Sequence, residues 1–82
     1  MVDVLEVEAD LSVEPPEPRR FRWRGRTYTI LDLGRRWQQE DEQHWLVRTS
    51  AKRVYELIYD LETGQWRMGR TPKEFQARGP AV

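Results

Sequence analysis

This chain of 82 residues contains no cysteine, so neither disulfide bonds nor thiolate metal ligands can stabilise its fold. Its only histidine is His44 and its only serines are Ser12 and Ser50, which leaves almost no material for a nucleophile with an adjacent base. The glycine-rich phosphate-binding motifs of nucleotide enzymes are missing as well. These absences argue against an enzyme, and we expect no catalytic residue, no cofactor and no bound metal.

Long apolar runs are also missing. None approaches the roughly 20 residues that a membrane-spanning helix requires, and the N-terminus lacks the basic-then-apolar order of a signal peptide. A chain without cysteine fits a reducing compartment. We therefore expect a soluble, cytoplasmic protein with no membrane partner and no small-molecule substrate.

What the chain has in abundance is large aromatic residues: four Trp, three Tyr and two Phe. Each can bury roughly 150–250 Å², which matters because a chain this short buries only about 60% of the surface that it exposes when unfolded. We expect one small domain over residues 1–82, with an aromatic core and modest stability.

The net charge of zero conceals an asymmetry. Residues 1–18 carry −6 with no basic residue, whereas residues 19–82 hold 14 basic and eight acidic side chains, and twelve of the basic residues are arginine. Such a division is typical of a basic body that binds a polyanion, or of an acidic leader that folds against the body and neutralises it.

The acidic leader has the pattern of a strand. Apolar and polar side chains alternate from Leu5 to Glu14, which predicts a first strand over residues 4–14 with one buried face. Pro15, Pro16 and Pro18 would then prevent further strand pairing.

A β-hairpin is predicted from Arg19 to Ile30. Strand alternation puts Phe21 and Trp23 on one face and three arginines on the other: Arg20, Arg22 and Arg24. Gly25 is placed to turn the chain back into the second strand. The aromatic face should begin the core, and the arginine face should meet solvent or a partner.

The remainder of residues 19–70 also has the pattern of basic, aromatic-rich hairpins. Strands are predicted over 26–33, 44–49, 54–59 and 65–70, with a bulge at Gly34. Residues 35–37 either resume the strand or begin a short helix over 35–42. Within residues 71–82, a helix and tail, Thr71-Pro72 predicts a helix over 72–78. The fold class is all-β: a strongly bent antiparallel sheet or small open barrel of five to six strands, with a short C-terminal helix.

The segment from Phe21 to Tyr28 is accompanied by a set of later positions: Trp37, Trp45, Val47, Arg48, Tyr55, Glu56, Leu57, Asp60 and Gly64 to Arg67. This pattern, over roughly residues 5–70, resembles a small bacterial family of domains of unknown function. Its members are stand-alone short proteins or segments at the C-terminal end of Y-family DNA polymerase-like mutagenesis proteins. The resemblance implies a context of DNA repair or damage tolerance. It implies no catalytic or binding residues, and residues 71–82 run past the usual end of the domain.

Arginines that interleave with aromatic residues are typical of surfaces that bind single-stranded nucleic acid, where guanidinium groups hold phosphates and rings stack on bases. The candidate phosphate contacts are Arg20, Arg22, Arg24, Arg26, Arg35 and Arg36, and the candidate stacking rings are Trp23 and Trp37. The competing interpretation is that the rings form the core of a small domain and that the arginines are its solvated face.

Two further groups of residues allow a functional and a structural interpretation. Glu6, Glu8 and Asp10 either pair across strands with Arg22 and Arg24, or project elsewhere as a phosphate mimic or as attraction for a basic partner. His44 follows three acidic residues in a predicted loop, and we expect it to be exposed and to take no part in catalysis or metal binding.

The function that these patterns favour is a non-enzymatic accessory module, which binds single-stranded nucleic acid through the arginine face or docks onto a DNA-repair protein. The alternative is a protein-interaction module without nucleic-acid affinity, whose exposed strand edge pairs with a partner chain.

Overall fold

The computed structural model describes residues 5–73, which form six strands: β1 (Leu5–Asp10), β2 (Glu17–Trp23), β3 (Arg26–Gln39), β4 (Glu42–Thr49), β5 (Val54–Asp60) and β6 (Trp66–Met68). Each strand pairs antiparallel with the next, and the strand order in the sheet follows the order in the chain. β1 also lies alongside β6, so the sheet curls into a nearly closed barrel. The predicted all-β class and the bent antiparallel sheet are confirmed.

The elements of residues 5–73 are all strands, and the C-terminal helix predicted over 72–78 is not supported. That helix lies almost entirely outside the described residues, which end at residue 73. Residues 35–37 continue β3, so of the two interpretations offered by the sequence the strand is the one observed. Within residues 5–73 no helix is long and apolar enough to cross a membrane.

β1 is shorter than predicted, because the chain turns after Asp10. The Asp10 carboxylate accepts hydrogen bonds from the backbone N–H and the hydroxyl of Ser12, at 2.9 and 2.6 Å, a local turn that competes with further strand pairing. Leu11 and Val13, which alternation placed on the buried face, are 79% and 41% exposed. The prediction of a strand through residue 14 is therefore wrong beyond Asp10.

The β2–β3 connection is the tight turn that the sequence predicts. Trp23 and Arg26 are paired, which leaves Arg24 and Gly25 as a two-residue loop with φ values of 53° and 79°. Two consecutive positive φ angles define the type I′ turn, whose twist matches that of the flanking strands.

β3 is a long, bent strand that belongs to both halves of the barrel. Its first part pairs with β2 and its second part with β4, with irregular pairing around Leu31 and between Leu33 and Arg36. The predicted bulge at Gly34 falls within the second irregularity. A Cβ at Gly34 would lie 3.2 Å from the Leu46 carbonyl oxygen, a close backbone approach that suits glycine.

The core lies between the two halves. Phe21 and Trp23 of β2 pack with buried residues of β4 and β5: Trp45, Val47, Tyr55 and Leu57. The rings of Phe21 and Tyr55 meet edge to face, with centroids 5.3 Å apart, a geometry that adds to area burial. The outward-facing residues of β5, Glu56 and Ile58, are buried too, so β5 is covered on both faces.

Candidate nucleic-acid interface

The β2–β3 hairpin separates rings from guanidinium groups as predicted. Phe21 and Trp23 are 1% and 8% exposed, whereas Arg20 and Arg22 alternate with them and are exposed. The guanidinium carbon of Arg24 lies 4.4 Å from the centroid of the Trp23 ring. Because Trp23 is buried and lies under Arg24, the structure places it in the core and not on a surface where bases could stack.

The acidic strand β1 neutralises part of β2. Glu8 binds Arg20 through both carboxylate oxygens, at 2.7 and 2.8 Å from Nη2, and Asp10 binds Arg19 at 3.1 Å. Glu6 lies opposite Arg22 in the strand register. Of the two interpretations offered by the sequence, cross-strand pairing is the one observed, with different partners: Glu6 lies opposite the predicted Arg22, but Glu8 and Asp10 form ion pairs with Arg20 and Arg19.

Arg26 lies on a different face from Arg20 and Arg22, because its register partner is the inward-facing Trp23. Burial and a hydrogen bond with Tyr28 raise the pKa of the Tyr55 hydroxyl to about 12, while the positive charges of Arg53 and Arg26 act in the opposite direction. Arg26 and Arg53 therefore both lie near enough to Tyr55 to lower its pKa, although the two arginines belong to different hairpins.

Successive turns of an antiparallel meander lie at alternate ends of the barrel, and here the two ends differ in charge. Residues 24–25 and 50–53 form the turns at one end, and their charged residues are Arg24, Lys52 and Arg53. Residues 11–16, 40–41 and 61–65 form the connections at the other end, and their charged residues are Glu14, Glu40, Asp41 and Glu62. No connection carries both signs.

We define the basic end as Arg22, Arg24, Arg26, Lys52 and Arg53, all of which are exposed. Among residues 5–73, no ion pair with a carboxylate is found for Arg22, Arg26, Lys52 or Arg53, and Arg24 has contacts of its own. Like charges that are close together repel one another unless an anion relieves them. The basic end is therefore the strongest candidate for an anion-binding surface.

The remaining predicted residues form a second group, beyond the bend in β3. Trp37 pairs with His44 and Arg36 pairs with Trp45, so these neighbours point to opposite faces of the sheet. Trp37 is half-buried, and its ring stacks on that of His44 with centroids 5.0 Å apart and planes 18° apart. The guanidinium carbon of Arg35 is 5.8 Å from the centroid of the Trp37 ring. The eight predicted site residues thus occupy several surfaces and not one arginine face.

His44 lies in a strand, as the predicted strand over 44–49 implies, but the prediction that it is exposed is wrong. Its side chain is buried, and its Nδ1 is 2.7 Å from Oε2 of Glu56. Its Nε2 is 3.3 Å from Oε1 of Glu42. The prediction of exposure failed because β4 already begins at Glu42, so that His44 lies inside the strand, and because Glu56 of β5 lies beside its ring.

Glu56 is the centre of this buried polar cluster. Burial alone would raise the pKa of the Glu56 carboxyl, but hydrogen bonds from Arg70 and His44 outweigh it and hold the pKa below its usual value. Arg70 donates to Oε1 from Nε at 2.8 Å and from its backbone N–H at 3.1 Å. Glu42, the second acidic neighbour of His44, is held in turn by Arg67 at 2.6 Å.

Because both ring nitrogens of His44 are engaged inside a buried cluster, we interpret the cluster as structural. Residues 5–73 contain no group of three histidine or acidic side chains placed to hold a metal ion. One signal in the sequence could have revealed the cluster: Glu56 is a charged residue within the most apolar strand, β5. Its register partner is Leu46, and the only histidine of the chain, His44, lies two positions from Leu46 on the same face of β4.

Comparison with known proteins gives no relative: no family model matches this chain, and neither the curated proteins nor the solved structures include a significant match. The resemblance suggested by the sequence therefore stays a prediction.

Proposed function

We propose that this chain is a non-enzymatic nucleic-acid-binding module that contacts the phosphate backbone through its basic end. The observation that carries the proposal is the gathering of five exposed cations from two separate hairpins, at the end of the barrel whose turns contain no carboxylate. Arginine, which supplies four of the five, is well suited to phosphate because its planar fork can donate two parallel hydrogen bonds.

The backbone conformation of the turn adds a second line of support. Arg24 has a φ of 53°, in the left-handed region that asparagine and glycine occupy with least cost at this position of a type I′ turn. Lys52, in the other turn of the basic end, has a φ of 60°. Both turns therefore carry a long cationic side chain where a smaller residue would suit the backbone better, which motivates a functional role for the charge.

The expected mode of binding at the basic end is contact with phosphates and not stacking on bases. Phe21 and Trp23, the rings nearest to the basic end in sequence, are buried in the core. Contacts with phosphates position a protein without reading the sequence, so we expect little sequence preference. The DNA-repair context implied by the resemblance is part of this proposal and makes gapped duplex DNA a suitable additional probe.

The alternative of a strand edge that pairs with a partner chain is less well supported. β1 lies alongside β6 in the nearly closed barrel, which leaves less open edge than a flat sheet would have. If the protein is found to bind no nucleic acid, pairing with a partner chain through a strand edge becomes the favoured function.

Fluorescence polarisation with labelled single-stranded DNA, duplex DNA and RNA tests the proposal. If four to five phosphates are contacted, affinity should fall roughly 150- to 500-fold for duplex DNA, and roughly 50- to 130-fold for single strands, between about 50 and 200 mM salt. Absence of binding at about 50 mM salt, or binding that ignores salt, would contradict the proposal.

The sharpest variant is Arg24→Asn, because asparagine followed by glycine is the preferred sequence of the type I′ turn. We expect it to weaken binding roughly five- to tenfold and to make the salt dependence less steep. The melting temperature should change little, because the better turn residue offsets the lost contact with Trp23. Glu40→Asn is the matched control, since Glu40 has the same φ of 53° but lies in a turn at the acidic end. Equal effects of the two variants on affinity would mean that the basic end is not the binding surface.

A further inference from the structure

A second surface, separate from the basic end, has the composition of a small binding pocket. An open depression of about 310 Å³ on the outside of the barrel is lined by Arg35, Trp37, Leu46 and Arg70. A neighbouring depression of about 290 Å³ shares Arg35 and Leu46 with it. Each volume is close to the lower limit of small-molecule sites, roughly 300 Å³, which is enough for a ligand with one ring system.

The aromatic wall of the pocket is held in place from behind. The Trp37 ring stacks on His44, which does not line the pocket, and His44 is fixed by Glu56 at 2.7 Å. A stacked ring whose neighbour is anchored by a buried carboxylate loses little further freedom when a ligand binds against it. Trp37 is therefore a preorganised platform for a planar group.

The polar wall consists of two guanidinium groups, of which one is held by hydrogen bonds and the other is exposed. Arg70 is oriented by its hydrogen bonds to the buried Glu56. Arg35 is exposed, makes no ion pair with a carboxylate among residues 5–73, and lies 5.8 Å from the Trp37 centroid, near the outer limit of a cation–π contact. Because no carboxylate of residues 5–73 pairs with Arg35, its positive charge makes the pocket favourable for an anion.

A ligand that uses all four residues needs a planar ring for Trp37 and Leu46 and an anionic group for the arginines. Inorganic phosphate would leave the apolar wall unused, and a cation would be repelled. We propose that this pocket binds one nucleotide unit, with its base stacked on Trp37 and its phosphate held by Arg35, beside Arg70. The unit can be a free nucleoside monophosphate or one nucleotide of a single strand, since both present the same chemistry.

This inference does not depend on the basic end. If both surfaces function, the basic end supplies contacts with the phosphate backbone, while the Trp37 pocket supplies a preference for unpaired nucleotides, because a base within a duplex cannot stack on a side chain. If only the pocket functions, the protein binds nucleotides without the steep salt dependence expected of the basic end.

The test is a titration of the full chain, labelled with ¹⁵N, with adenosine monophosphate, uridine monophosphate and inorganic phosphate, followed by NMR. We expect saturable shifts of the Trp37 indole N–H and of the Arg70 backbone N–H with both nucleotides, complete by about 10 mM ligand. A short oligonucleotide that binds more tightly than the monophosphates indicates a strand as the source, and equal affinity indicates the free nucleotide. Both outcomes support the pocket.

Arg35→Gln and Arg36→Gln form a matched pair, because these adjacent arginines are both exposed and only Arg35 lines the pocket. We expect Arg35→Gln to weaken nucleotide binding at least threefold and Arg36→Gln to leave it unchanged. Trp37→Leu should remove it, and Trp37→Phe should keep part of it if stacking is responsible. Arg24→Asn should not alter it, which separates this site from the basic end.

Three results would overturn the inference. One is the absence of saturable shifts at Trp37 and Arg70 up to about 10 mM nucleotide, the limit of a very weak site. Another is an equal response to inorganic phosphate, which would show that the ring takes no part. The third is equal weakening by Arg35→Gln and Arg36→Gln, which would show that only net charge matters.

Discussion

His44 in β4 and Arg70 in the segment after β6 approach the same buried carboxylate: Nδ1 of His44 lies 2.7 Å from Oε2 of Glu56, and Nε of Arg70 lies 2.8 Å from Oε1. Glu56 is 6% exposed, so it remains ionised inside the fold only because these donors replace the water that it has lost. The contact ties the segment after β6 to the outer face of β4 and β5.

The cluster makes stability sensitive to acid. The folded-state pKa of Glu56 is depressed, so its contribution is fully present above its unfolded pKa, near 4.5, and is lost as the pH falls towards the lower folded value. Hydrogen bonds from Ser12 also lower the pKa of Asp10 to about 2, which adds to the loss in the same direction. We expect the melting temperature to decrease as the pH falls below about 4.5.

Glu56→Gln should destabilise the protein by about 2 kcal/mol near neutral pH, because it removes the charge that both donors require. It should also flatten the dependence of the melting temperature on pH below about 4.5. The same change at Glu62, an exposed turn residue, is the control and should leave the wild-type profile. A wild-type slope that persists in Glu56→Gln would show that other carboxyl groups cause the acid sensitivity. Thermal unfolding followed by circular dichroism provides the measurement.

Gly69 makes room for the Glu56 side chain. A Cβ at this position would lie 2.8 Å from Cδ of Glu56, and the glutamate cannot move aside without losing its donors. We expect Gly69→Ala to destabilise the fold by about 1–3 kcal/mol, a typical cost of overpacking. Chemical denaturation should show this loss shrinking when Glu56→Ala is made in the same chain, since the obstacle is then gone. An undiminished loss would point to the backbone at Gly69 instead.

The sequence predicted the parts of the fold that depend on short-range pattern. Alternation placed Phe21 and Trp23 inside and their neighbouring arginines outside, and Gly25 marked the hairpin turn, because both signals lie within a few residues. The burial of His44 could not be predicted in this way, since it depends on Glu56 and Arg70, which are 12 and 26 positions away in the chain.

The segregation of charge between the two ends of the barrel could be predicted from the sequence only in part. The basic turn at 50–53 and the acidic turn at 40–41 are visible in the sequence, but they define opposite ends only if every strand pairs with the next one in the chain. Strand order does not follow from local pattern. The predicted sites were therefore grouped as one face, although Arg22 and Arg35 lie on the two halves of a bent barrel.

The corrected end of β1 can be tested directly. Leu11 and Val13 are exposed beyond the end of the strand, whereas Val7 packs against the core. We expect Leu11→Ser and Val13→Ser to change the free energy of unfolding by less than about 0.5 kcal/mol, and Val7→Ser to reduce it by about 1–3 kcal/mol. Denaturant unfolding measures each change. Comparable losses at all three positions would favour the longer strand that alternation suggested.

The ion pair between Glu8 and Arg20 yields a prediction that separates its structural role from its effect on binding. The two side chains are 68% and 49% exposed, so the pair contributes little to stability, and Glu8→Gln should cost less than about 1 kcal/mol. The same change frees Arg20, on the outer face of β2 beside the basic end. If nucleic acid binds there, Glu8→Gln should raise affinity roughly three- to tenfold and steepen the salt dependence by about one phosphate contact. Glu14→Gln alters net charge equally but at the acidic end, and should have a smaller effect. Polarisation titrations measure both variants. If Glu8→Gln and Glu14→Gln have the same effect on affinity, Arg20 acts only through the net charge and is not a phosphate contact.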